Sequence, residues 1–295
     1  MLAPETIRLP FEGGPFRMAM ALTAAPMDEM IELDVLYPSQ MAERARLLEE
    51  HRDEVFAALP GSASACAEVL ARLGGLLPRR FPEVFAAEDG AIVNRLTEER
   101  WSLRDPSLHP LEVAGRLVQE DLCLIADGPV LSAGIVCFPS RWGLKEKIGL
   151  RLPDVHEFVP LYAERLARPV DRFFAHLQPG KLAARLNWSV MDDPALFQLG
   201  GKYRTAPNQT VTAENAGETL YLRVERQTLS RVADHVLFTI RVHVTALARA
   251  IATTSDAARL ASAVRALPEE IAHYKSLPTI RQPLLGWLDR WARDR

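Results

Sequence analysis

Between Lys145 and Thr245, charged residues interrupt segments that otherwise read as buried β-structure. Arg185 and Asn187 precede Trp188. Arg223, Glu225, Arg226 and Gln227 stand between Leu222 and Leu229, and Arg241 follows the apolar run Val236–Ile240. A buried charge costs several kcal/mol unless it is paired, so such a cluster marks a ligand site or a paired network. Alternation along a strand places Arg223, Glu225 and Gln227 on one face and Val224, Arg226 and Thr228 on the other. A solvated sheet face gives the same pattern. The apolar flanks Leu220, Leu222 and Leu229 argue for an inner strand.

The chain has 295 residues, 48% of them hydrophobic, enough for a sizeable core. Its net charge of −3 lacks the basic excess of nucleic-acid binders. No apolar run reaches the length of a membrane span, and the N-terminus does not read as a secretory signal. The three cysteines, Cys66, Cys123 and Cys137, are widely spaced and form no metal-binding pair, which fits a reducing cytoplasm. No glycine-rich nucleotide loop and no metalloprotease or serine-hydrolase motif appears, so electrons for any redox chemistry would come from another polypeptide.

Residues 1–30, rich in Pro, Gly and Met, read as an extended arm, and 31–295 as a single domain. Helical spacing predicts a helix over 40–58, with Met41, Ala45, Leu48, Val55 and Leu59 on one stripe. A second helix follows from Ala63, with Gly74–Gly75 and Pro78 as stops, and a third runs from Leu111 to Gln119. Two apolar runs around Asp127–Gly128 signal a hairpin. The segment 155–177 reads as helical, broken at Pro160 and Pro169. Residues 185–190, 219–229 and 235–247 read as strands; 256–267 and the Trp287/Trp291 tail return to helix. These elements predict an α+β fold, an antiparallel sheet with N-terminal and flanking helices to one side.

Several segments, in consistent order, resemble the haem-dependent oxidative N-demethylase alpha-subunit-like family. They are VQEDLCLI (118–125), CFPSRW (137–142), KIG (147–149), VHEFVPLY (155–162), RLNWS (185–189), LRVERQTL (222–229), LFTIR (237–241) and the pair Tyr274–Lys275. Within VHEFVPLY, Val155 and Phe158 depart from the family pattern, while His156, Pro160 and Tyr162 keep it. The resemblance implies a PAS-like sheet carrying haem b. It implies that haem activates O2 and oxidises the N-methyl group of a small methylated amine. The resulting carbinolamine then breaks down to the demethylated amine and formaldehyde. It further implies flavin and iron–sulfur partner subunits as the source of electrons.

Within that frame His156 is the candidate axial ligand, because neutral imidazole is the commonest haem donor. His176 and His243 are the alternatives; His51, His109, His235 and His273 read as exposed or loop-edge residues. Arg226 first, Arg223 second, and Arg185 are candidates for the haem propionates, since guanidinium pairs carboxylate in a fork. Glu225 can hold an amine cation or relay a proton, and Tyr162 can offer a hydroxyl on the substrate side. Arg241 is grouped with Arg185 and Asn187, either in the site or in a network with Glu120, Asp121 or Glu225. Two rival readings stand beside this one. The chain is a non-catalytic haem or small-molecule sensor, or a cofactor-free interaction protein whose charged strand is structural.

Overall fold

A computed structural model describes residues 2–105 and 107–293. Among the described residues ten strands occur in chain order: β1 (Thr23–Ala25), β2 (Phe56–Ala58), β3 (Phe85–Glu88), β4 (Ala91–Asn94), β5 (Arg100–Ser102), β6 (Asp121–Ala126), β7 (Val130–Ile135), β8 (Leu182–Met191), β9 (Tyr221–Val232) and β10 (His235–Ala246). Seven form one antiparallel sheet in the order β1-β8-β9-β10-β6-β7-β2, and β3-β4-β5 form a small second sheet. The architecture is α+β, as the sequence predicts.

The hairpins arise where turn chemistry permits. Gly128, with φ of 80°, closes β6 on β7 at the Asp127–Gly128 signal. β9 and β10 stay in register from Tyr221↔Ala246 to Val232↔His235, and β8 pairs with β9 across ten positions from Leu182↔Ser230 to Met191↔Tyr221. These ladders carry no bulge, so strict alternation holds along β9. One face carries Leu222 and Val224; the other carries Arg223, Glu225 and Gln227.

The face with Leu222 and Val224 is buried against two helical layers. The N-terminal helices Tyr37–Glu50 and Ala63–Arg80 place Leu47, Leu73 and Leu77 against Leu122, Leu124 and Leu237. The C-terminal helices Thr254–Ala266 and Arg281–Arg293 place Leu260, Val264, Leu284 and Leu288 against Leu222 and Val224. A capping box between Thr253 and Asp256 starts the first of these. The opposite face is covered at its β6–β7 end by the crossover from β7 to β8. Leu152, Val155, Val170 and Phe174 of that crossover pack on Cys123, Ile125, Leu131 and Phe238. Helices therefore lie on both faces, not on one side as the sequence suggests.

Four further differences have physical causes. The predicted helix over 40–58 ends at Glu50, and after a single turn at Arg52–Val55 the chain becomes β2, an edge strand on β7. Leu59 is consequently exposed. The helix from Ala63 runs through Gly74, Gly75 and Pro78 to Arg80. Interior Gly and Pro cost about 1 and 3 kcal/mol. Burial of Cys66, Val69, Leu70, Leu73, Leu76 and Leu77 offsets them, and Gly74 admits Leu103, whose Cδ1 lies 2.9 Å from where a Cβ would stand. The helix predicted to Gln119 stops at Gly115, and the 155–177 segment divides into the short helices Tyr162–Arg165 and Ala167–His176 after His156 caps Leu152–Val155. Among the described residues, no helix is long and apolar enough to cross a membrane.

Candidate functional site

The polar half of β9 meets the crossover and two later loops on the face opposite the helical core. At its centre is Glu225. Asn187 Nδ2 (3.2 Å, from the paired position on β8), Gln227 Nε2 (2.7 Å) and the Ser140 hydroxyl all donate to its carboxylate. Burial pushes this carboxyl up. The Ser140 hydrogen bond, the Arg223 field and the two amides outweigh it and hold Glu225 below the usual range, so it is ionised at neutral pH. Arg223 is spent differently. Its guanidinium donates to Ser140 Oγ (2.8 Å) and to the carbonyls of Ala195 (2.9 Å), Phe138 (2.8 Å), Pro139 (3.2 Å) and Leu196 (3.0 Å). It clamps the two loops beside Glu225, with all three guanidinium nitrogens bonded to protein.

His156 enters from the crossover. It caps the Leu152–Val155 turn, and its Nδ1 lies 2.8 Å from the Leu152 carbonyl oxygen. A carbonyl only accepts, so Nδ1 carries the hydrogen, and the neutral ring keeps its lone pair on Nε2. Burial depresses the pKa of His156 against the pull of that carbonyl, and Lys202, Lys147 and Arg185 depress it further. The ring is thus neutral with Nε2 free of any partner among the described residues. Leu161, in the left-handed region at φ 64°, turns the chain so that Tyr162 stacks on His156, with ring centroids 4.5 Å apart and planes 5° off parallel. Backbone strain of this kind is held where surrounding packing over-determines it. Burial pushes the Tyr162 phenol up to about 12, so it stays a neutral hydroxyl.

Three cations complete the cluster. Arg185, on β8, has a buried Nε without a hydrogen-bond partner. Lys202 donates to the Tyr274 hydroxyl at 3.0 Å and lies 4.7 Å from that ring's centroid. Lys275 donates to the Trp188 carbonyl at 2.7 Å. Burial drives the Lys275 pKa down to about 8, opposed by Glu225 and assisted by Arg185 and Lys202. Tyr203, whose hydroxyl donates to the Phe158 carbonyl, ties the Lys202 loop to the His156 loop.

Residues 21–285 match the model of a family described as haem-dependent oxidative N-demethylase, alpha subunit-like. The chain belongs to this family. The residues present fit a haem. A neutral imidazole offers Nε2 with its tautomer fixed from behind, the arrangement found for ligating histidines. A buried guanidinium nitrogen without a partner stands beside two further cations, the chemistry that carboxylates require.

Other residues predicted from the sequence of this family member lie elsewhere. Arg226 points to the opposite face, where it donates to the Glu29 carbonyl (2.7 Å) and pairs with Glu32 (3.1 Å). Arg241 shares that face. It pairs with Asp34 (2.6 Å) and donates to Gln40, so it is structural and separate from Arg185 and Asn187. His243 sits there too, 3.5 Å from Glu32. His176 is exposed on its helix, and His235, expected at a loop edge, is buried against Asp234. The structure thus brings His156, Tyr162, Arg185, Asn187 and Glu225 to one place and leaves Arg226, Arg241 and His243 outside it. Sequence reasoning passed over Ser140, Lys202 and Lys275. Ser140 and Lys275 lie inside quoted motifs; Lys202 follows Gly200–Gly201 in a loop with no periodic signal.

Proposed function

We propose that this chain binds haem b through His156 and supports oxidative N-demethylation of a small methylated amine, using O2 and electrons from a flavin and iron–sulfur partner. The observation that carries the proposal is the fixed, neutral His156, with Nε2 free, sharing Arg185 and Lys202 as charged neighbours with an ionised Glu225. The family description supports the haem and the demethylation, and its alpha-subunit designation supports partner polypeptides. When bound, haem supplies the activation of O2 and the oxidation of the N-methyl carbon. The chain supplies position and charge. The Leu152 carbonyl aims the imidazole, and Tyr162 holds it flat by stacking. The buried Glu225 carboxylate attracts the ammonium form of the amine, and it can take the proton that the amine must lose before its nitrogen lone pair is available. Ser140, Asn187 and Gln227 fix its direction, while Arg223 fixes the loop that carries Ser140.

The sheet supports the PAS-like part of this reading. Counting the five longest strands from β6 as first, their order is 2-1-5-4-3, with His156 carried on the crossover between the second and third. In this reading residues 31–295 are one haem-binding domain and 1–30 an arm across it. The test is formaldehyde release from dimethylamine by haem-loaded protein with a surrogate reductant. Release that depends on amine and O2 is the expected result. Haem binding without any amine turnover would leave a sensor.

A further inference from the structure

We infer that Arg185, Lys202 and Lys275 form one seat for the carboxylate of a bound ligand beside His156. The inference rests on the proposed haem function for one of its two sources, the carboxylates of haem itself. The other source is a carboxylate on the amine substrate, as in an N-methylated amino acid.

The cations come from three separate places in the chain: β8, the loop after Gly201, and the residue following the short helix Glu269–Tyr274. All three are half-buried and share Glu225 as an electrostatic neighbour. Glu225 does not neutralise them. Its oxygens accept from Ser140, Asn187 and Gln227, and among the described residues no carboxylate lies within 4.0 Å of any of the three cations. Three positive groups therefore share one engaged carboxylate, Glu225, and only Lys202 feels a second, Glu146, which forms no ion pair with it. Each ammonium has three donors and spends one, on the Tyr274 hydroxyl or the Trp188 carbonyl. Arg185 has five donors and, among the described residues, hydrogen-bonds no partner with them.

A bland account is available for each cation alone. A lysine after a helix favours the helix C-terminus. Lys275, however, reaches across to β8 rather than back to its own helix. An arginine with a solvated head needs no partner, but the Arg185 Nε is enclosed by protein. Uncompensated charge in such surroundings costs several kcal/mol, and a bound anion offsets that cost. Arg226 lies on the opposite face of β9, tied to Glu29 and Glu32, and Arg223 is clamped onto the 138–140 and 195–196 loops, so the seat falls to the other three cations.

Metal-free protoporphyrin IX and its dimethyl ester test the seat apart from iron ligation. Fluorescence titration of the full chain is expected to show the free acid binding at least about tenfold tighter than the ester, the scale of one charge-assisted hydrogen bond. That preference is expected to vanish in Lys202→Met and Lys275→Met, with circular dichroism confirming that both fold. If acid and ester bind alike, the haem-loaded protein is titrated with N,N-dimethylglycine and dimethylamine. A preference for the amino acid that the lysine variants lose assigns the seat to the substrate. Equal binding in every arm, or variants that keep the wild-type preference, overturns the seat. A chain that takes up no porphyrin or haemin overturns the haem proposal instead. The seat is then decided by calorimetry with N,N-dimethylglycine alone: heat lost in the variants supports it, and no heat in wild type overturns it.

Discussion

At the scale of single residues, Glu225 on β9 and Lys275 after the helix Glu269–Tyr274 carry opposite charges in buried surroundings. Glu225 holds its charge on a buried surface because three donors are aimed at it. Removing a charge while keeping the shape separates substrate pairing from haem retention. Glu225→Gln is therefore expected to take up haemin like wild type but to weaken amine-induced spectral shifts about tenfold to a hundredfold. Titration with dimethylamine reads this, and a wild-type curve assigns Glu225 a purely structural role. Lys275 makes a second prediction. Burial lowers its folded pKa to about 8 from the ordinary lysine value of about 10.5. Between those values the unfolded chain binds the extra proton, so this group's contribution to stability rises with pH across that window. Urea midpoints at about pH 7 and about pH 10 should show a rise that Lys275→Met lacks; equal slopes in both proteins contradict the assignment.

At the scale of elements, β9 divides its arginines by face. Arg223 bonds four backbone carbonyls and the Ser140 hydroxyl, so Arg223→Met strands buried acceptors and is expected to cost about 3 kcal/mol or more in urea denaturation. Arg226→Met instead cuts the tie to Glu29 and Glu32. It should increase proteolysis before Met30 while leaving haemin uptake unchanged; lost uptake would bring Arg226 back toward the cofactor. The alternation of β9 was legible because a two-residue period fixes side-chain direction wherever the ladder is regular, as it is here. What each face meets was not legible. Arg223, Arg226 and Arg241 look alike in sequence, and only the distant carbonyls and carboxylates they reach distinguish them. His156 and Tyr162 could be singled out from a motif, but their stacking depends on the left-handed turn at Leu161, which its sequence does not announce. Strands β1 to β5 were missed because each has only three or four residues, too few for a period to register.

At the scale of the molecule, the sheet works as a partition. One face is closed by the N- and C-terminal helical layers, whose cores meet Leu122, Leu124, Leu222, Val224 and Leu237. The other carries the ionisable cluster, with the crossover bringing His156 over it and the Lys202 and Lys275 segments bringing positive charge. A bulge-free central ladder keeps the apolar layers on one face and the charged cluster on the other. The central claim is that His156 Nε2 is the group this partition presents to iron. Haemin titration of wild type, His156→Ala, His176→Ala and His243→Ala, followed by the Soret band, tests it most directly. The account predicts about one haem per chain in wild type and in the two control variants, and a lost or altered Soret band in His156→Ala that added imidazole restores. An unchanged Soret band and occupancy in His156→Ala would contradict it.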